Sequence, residues 1–136
     1  EIHERLVGSE MCIRDSDGRG LYSYLTGAAS WYMLTMITSV YGVHGELGDL
    51  VIEPALMPQQ YNEKGDAKVS LEFAGHGFDI LVHNPDKLEP GDAHVKRALC
   101  DDVKVENVTG NSVRIPKHAI EMLSTDKCHT VEIYIE

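Results

Sequence analysis

Thr26 and Gly27 stand where a polar turn runs into a largely apolar stretch, Trp31 to Tyr41. A hydroxyl and a glycine at the mouth of a helix suit an anion, because first-turn N–H groups are unpaired there and glycine lets the ligand approach the backbone. The same pair also serves as a plain cap, the threonine oxygen accepting from those N–H groups. Arg19, just upstream, adds a cation near the mouth. Carboxylates pair at Asp101-Asp102 and at Glu46 with Asp49. Acid/base catalysis uses such pairs, but nothing in the sequence sets either in a cleft, and turn capping or solubility accounts for them equally well. Of the seven histidines, His76 and His83 lie seven apart and share no helix or strand face. His44, His94, His118 and His129 fall singly among residues read as loop or sheet edge. No His-x-x-x-His, His-x-His or Glu-x-x-His spacing occurs, so no metal site is expected.

The element that positions Thr26 and Gly27 is a helix predicted over residues 27–41, with Thr26 as N-cap and Gly42 as the left-handed residue that ends it. Apolar side chains occupy both the Trp31/Leu34/Tyr41 side and the Met33/Ile37/Val40 side, so the helix needs cover all round. No second long amphipathic helix is present to supply it, and the covering surface is expected outside these 136 residues.

Beyond Gly45 the pattern turns to strands. Residues 67–73 alternate polar with apolar, 78–83 form a compact apolar run stopped by Asn84-Pro85, and 49–56 read as a strand broken by Pro54. A turn is expected over 62–66, with Gly65 in it. Further strands are expected at 95–105, 112–115 and 130–136, with a helical turn over 116–124. The whole reads as a β-sandwich preceded by one helix.

Composition narrows the function classes. The net charge of −10 leaves no clustered Lys and Arg for a nucleic-acid face. The apolar stretch is too short to span a bilayer. Cys100 and Cys128 lack Cys-x-x-Cys spacing and read as reduced thiols, which makes a cytoplasmic setting the default.

Tyr24-Leu-Thr-Gly-Ala-Ala-Ser-Trp31, followed by Tyr41-Gly-Val-His-Gly-Glu-Leu-Gly-Asp-Leu-Val-Ile-Glu-Pro-Ala-Leu56, resembles the C-terminal portion of the inverting β-glycoside phosphorylases of glycoside hydrolase family 94. These include cellobiose, cellodextrin and chitobiose phosphorylases. The match is dense over residues 18–56 and thinner beyond, where Phe78-Asp-Ile-Leu-Val-His-Asn-Pro85 resembles a late strand of the family. The resemblance implies a mixed α and β fold: the last helix of an (α/α)6 barrel, followed by a jelly-roll-like β-sandwich. It implies that Thr26 and Gly27 contribute to the site for inorganic phosphate, the co-substrate, with no other cofactor. Ala28 stands where the family commonly has serine, which removes one hydroxyl donor.

By the same resemblance, phosphate attacks the anomeric carbon while an Asp general acid protonates the glycosidic oxygen. That is the logic of an inverting glycosidase with phosphate in place of activated water. The general acid and the remaining phosphate ligands are expected upstream of residue 1, so none of this chain's residues is assigned a catalytic role. The expectation is therefore a fragment, inactive alone, of a phosphorylase that binds an oligosaccharide and phosphate and is a homodimer at full length.

Residues 1–16 have no clear period and are similar to translated adapter sequence, which sets them aside from fold reasoning. The expected organisation is then 17–44 as the terminal barrel helix with its phosphate motif and 45–136 as the β-rich domain. The competing reading is a non-catalytic carbohydrate-binding or structural β-sandwich. A binding module calls for a row of exposed aromatics, whereas the single tryptophan, Trp31, lies within the predicted helix.

Overall fold

The computed structural model describes residues 27–136. Thr26, Arg19 and the 1–16 tract lie outside the described residues. The chain divides into two compact units, Glu1–Met33 and Leu34–Glu136. The architecture below is that of the second, with the helix leading into it.

Helix α1 (Ala28–Thr35) continues as one wider turn over Met36–Val40, in which the Tyr41 N–H reaches back to the Met36 carbonyl at 3.0 Å. The cause is local. The Thr38 hydroxyl donates to the Leu34 carbonyl at 2.8 Å, and such back-bonding by threonine loosens a helix at that point. The helical span thus matches the expected 27–41, with a change of register in its last turn. Gly42 ends it at φ +67°, as expected of a left-handed terminator. Its carbonyl accepts from Glu53 N at 3.0 Å, and the Val40 carbonyl accepts from Ala55 N at 2.9 Å, so the helix exit is stitched to the chain leaving the second strand.

Nine strands follow among the described residues. β1 (Val43–Glu46), β2 (Asp49–Ile52), β7 (Val108–Thr109) and β8 (Ser112–Ile115) form a four-stranded antiparallel sheet in the order β1-β2-β8-β7. β3 (Asp66–Phe73), β4 (His76–His83), β5 (Val95–Cys100), β6 (Val103–Lys104) and β9 (Cys128–Ile135) form a five-stranded sheet in the order β3-β4-β9-β5-β6. In it β4 and β9 run parallel while the other pairs are antiparallel. A short helix, α2 (Lys117–Glu121), lies between β8 and β9.

Strict alternation drives the packing. In β4 every second residue from His76 to Val82 is buried, and in β9 every second residue from His129 to Ile135. The apolar residues among them join Val43, Leu50, Ile52, Val113 and Ile115 of the four-stranded sheet in a single core, the arrangement of a sandwich. The sheets approach closely at Gly45, where an added Cβ would lie 2.9 Å from the Phe73 ring.

Tight hairpins set the registers. The two-residue connections Leu47-Gly48, Ala74-Gly75 and Asp101-Asp102 all have positive φ at both positions. That is the turn whose twist matches paired strands, and it favours glycine or asparagine. Asp102 meets the requirement without either, at φ +67° and exposed to solvent. Asp102→Gly is therefore expected to stabilise the protein by about 0.5–1 kcal/mol, the left-handed penalty outweighing the extra entropy of an unfolded glycine. A rise in the urea midpoint checks this, and an unchanged or lower midpoint contradicts it.

The strand expected over 95–105 is thus a hairpin, turned at Asp101-Asp102. β2 stops at Ile52 rather than running to Leu56, and β1 and β7 were not foreseen. The sheet starts at Val43, ahead of the expected boundary at residue 45. No helix among the described residues is long and apolar enough to cross a membrane.

Candidate functional site

The helix mouth is described from Gly27 onward. The Gly27 carbonyl accepts from Trp31 N at 2.9 Å, so Gly27 already closes the first helical turn. Gly27 and Ala28 are exposed, which leaves the backbone approachable from solvent. Thr26, its proposed companion, and Arg19 fall outside the described residues. In α1 no residue is buried. Trp31, Tyr32, Met33 and Leu34 are 68%, 66%, 60% and 50% exposed, a run of large apolar side chains open to solvent.

The carboxylate pairs resolve into structural clamps. Arg114 of β8 holds both Glu46 and Asp49, the latter at 3.0 Å. Asp49 also accepts from Lys117 N at 2.8 Å, and this bond, followed by that to Arg114, holds its carboxyl below the usual carboxylate range. One acid thereby ties the β1–β2 hairpin to β8 and the start of α2. Both of its oxygens are engaged in these bonds.

Asp101 and Asp102 behave differently from each other. Asp102 points to solvent, whereas the Asp101 carboxylate accepts from Lys127 Nζ at 2.8 Å, His129 Nδ1 at 2.7 Å and Thr130 N at 2.9 Å. Lys127 is the main reason that its carboxyl is held far below the ordinary range, with the Thr130 N–H and His129 adding to the effect.

His129 corrects the expectation of a solvated loop or edge histidine. It lies in β9, in the middle of the five-stranded sheet, and is 1% exposed. Its Nε2 stands 2.8 Å from the Ser124 carbonyl. An Asp–His pair is a catalytic motif only when the second nitrogen faces a substrate. Here that nitrogen is capped by the backbone and buried, so the pair is structural.

A second set of polar groups runs across the outer face of the same sheet. The registers align Asp66 of β3 with His83 of β4, His83 with Tyr134 of β9, and Tyr134 with Arg97 of β5. His83 Nδ1 lies 2.7 Å from Asp66, and this bond is the main cause that keeps the Asp66 carboxyl low. The His83 ring stacks on Tyr134 with centroids 4.7 Å apart, and the Arg97 guanidinium sits 4.0 Å from the centroid of the same ring. Because β4 and β5 flank β9 on opposite sides, both faces of the tyrosine are covered. No ring is left free here for a sugar to stack on. The Tyr134 hydroxyl donates to Glu132 at 2.9 Å, which pushes its own ionisation up. His83 Nε2 is buried without a hydrogen-bond partner among the described residues.

No three His, Cys, Asp or Glu side chains converge on a common point among the described residues. Pattern alone did not reveal the Asp101–His129 clamp or the Asp66–His83–Tyr134–Arg97 row, since both depend on strand register. The alternation of 128–135 was the one usable signal, because it placed His129 on the same face as Val131 and Ile133. Comparison with protein-family models and with curated proteins gave no match to this chain.

Proposed function

We propose that this chain is the C-terminal part of an inverting β-glycoside phosphorylase, which cleaves a β-glucosidic bond with inorganic phosphate to release a sugar 1-phosphate. Thr26 and Gly27 form one edge of the phosphate site, and the sandwich buttresses the helical barrel from which α1 comes. The observation that carries this reading is α1 itself. It starts directly after Thr26-Gly27, exposes four consecutive large apolar residues, and passes through a left-handed Gly42 straight into a β-sandwich. A helix that is apolar all round needs cover from other structure, which the neighbouring helices of a barrel would provide. On the same reading the complete enzyme is a cytoplasmic homodimer, and its general acid and other phosphate ligands belong to the barrel.

Two outcomes test the assignment. The 136-residue chain alone is expected to show no phosphorolysis of any β-glucoside, and turnover by it would contradict the proposal. In the complete enzyme, Thr26→Ala is expected to weaken phosphate use by about 1–2 kcal/mol, the worth of a hydroxyl donated to a charged ligand, with a smaller effect on the sugar. An unchanged KM for phosphate would return Thr26 to the role of a helix cap.

A further inference from the structure

We propose that β3 is an interaction edge for a second copy of this chain, the two β3 strands pairing antiparallel about a two-fold axis at Ser70. β3 lies at the outside of the five-stranded sheet and is 8 residues long, whereas the other sheet edges, β1, β6 and β7, have 4, 2 and 2. An unpaired edge of that length is a template for another strand. Its even-numbered residues turn their backbone groups away from β4. The Asp66 N–H donates to the Asn62 side-chain oxygen at 2.9 Å, the Asp66 carbonyl accepts from Asn62 N at 3.0 Å, and the Lys68 carbonyl accepts from the Tyr41 hydroxyl at 3.0 Å. The Lys68 N–H and both backbone groups of Ser70 and Glu72 have no partner among the described residues.

Charge selects both the partner and the register. Lys68, Ser70 and Glu72 are exposed on the outer face of the sheet, directly opposite Leu81, Asp79 and Gly77 of β4. A two-fold axis normal to the sheet keeps that face continuous across both copies and makes every contact occur twice. Centred on Ser70, the pairing sets Lys68 opposite Glu72 of the second copy, and Glu72 opposite its Lys68. The neighbouring registers are worse. A centre at Lys68 or at Glu72 sets like charge against like, a centre at Val69 sets Asp66 against Glu72, and a centre at Leu71 sets no opposite charges face to face.

In the Ser70 register, Ser70 exchanges both backbone bonds with Ser70 of the second copy, and the Lys68 N–H donates to the Glu72 carbonyl across the axis. The Lys68 carbonyl keeps a second lone pair beside Tyr41 for the Glu72 N–H that comes opposite it. Lys68 Nζ already holds Asp79 at 2.7 Å, yet its side chain is 53% exposed and has hydrogens to spare for a second carboxylate. On the inner face Val69 comes opposite Leu71, both only partly buried within one chain, so pairing also covers apolar surface. The contact lies wholly within the sandwich, and it therefore stands whatever reaction the complete enzyme performs.

Sedimentation equilibrium on the 136-residue chain, up to about 1 mM and at low ionic strength where ion pairs are least screened, tests the contact. A reversible dimer is expected. Lys68→Glu sets glutamate against glutamate and Glu72→Lys sets lysine against lysine, in each case on both sides of the axis, so each variant alone is expected to dimerise at least about tenfold more weakly. An equimolar mixture of the two is expected to form a heterodimer within about threefold of the unaltered affinity, since every lysine then meets a glutamate. Ser70→Pro removes the N–H at the axis but none of those that bond β4, and is expected to abolish the dimer while the far-UV circular dichroism is kept. A chain that stays monomeric, association that ignores both charge reversals, as contact through the exposed Trp31 to Leu34 would, or a mixture no tighter than the single variants would each overturn the proposal. If Ser70→Pro does not fold, the mixture still decides it.

Discussion

Replacing the buried Gly42 by alanine is expected to destabilise the protein by about 3 kcal/mol or more. A left-handed residue with a Cβ costs about 1–2 kcal/mol. Here that is the smaller part. The added carbon would sit 1.9 Å from the Glu53 carbonyl oxygen and 2.9 Å from the Glu53 Cα, so backbone must move rather than a flexible side chain. The displaced carbonyl is next to the Glu53 N–H that bonds Gly42, and Ala55 N bonds Val40 just beyond, so the junction between helix and sheet opens as a unit. Urea unfolding measures the loss. A cost below about 1 kcal/mol would mean that the helix exit is not held against residues 53–55.

Asp101→Ala is the second large effect, expected at about 2–3 kcal/mol near neutral pH, because it strips a partner from His129, Lys127 and the Thr130 N–H at once. The sign of its pH dependence follows from its lowered ionisation. Lys127 first, then Thr130 N–H and His129, favour the charged carboxylate in the native state. A carboxyl depressed on folding contributes stability that is fully present above its unfolded value, about 3.9, and is lost as the pH falls below that towards the native value. The unaltered protein should therefore lose stability between about pH 5 and about pH 2, and Asp101→Asn should lose visibly less over the same interval. Parallel acid curves for the two proteins would show that Asp101 is not the clamp.

Much of this architecture was legible in the residues. The alternation of 67–73, the compact run at 78–83 and the closing strand near the C-terminus all appear as sheet, and Gly42 ends the helix as its position suggested. The hairpin at Asp101-Asp102 was not legible because its turn lacks the glycine or asparagine that marks such turns, and the flanking residues are apolar enough to read as one strand. β1 escaped because Val43-His-Gly-Glu46 is short and carries a glycine, and it becomes a strand only by pairing with β2. The buried role of His129 escaped for a related reason. A histidine reads as surface until its strand is placed at the centre of a sheet, and only the register brings Asp101 to it. The Thr26-Gly27 motif is the opposite case. The phosphate role proposed for it rests on local sequence and on its resemblance to a phosphorylase motif, and Thr26 lies outside the described residues.

The most direct measurement is the release of sugar 1-phosphate from a panel of β-linked glucosides and chitobiose, with and without inorganic phosphate, by the protein encoded in the complete reading frame. Phosphate-dependent release with inversion at the anomeric carbon is the expected result, and the panel would name the substrate. Absence of phosphorolysis across the panel, or hydrolysis that does not require phosphate, would contradict the assignment and leave the sandwich as a structural or binding module.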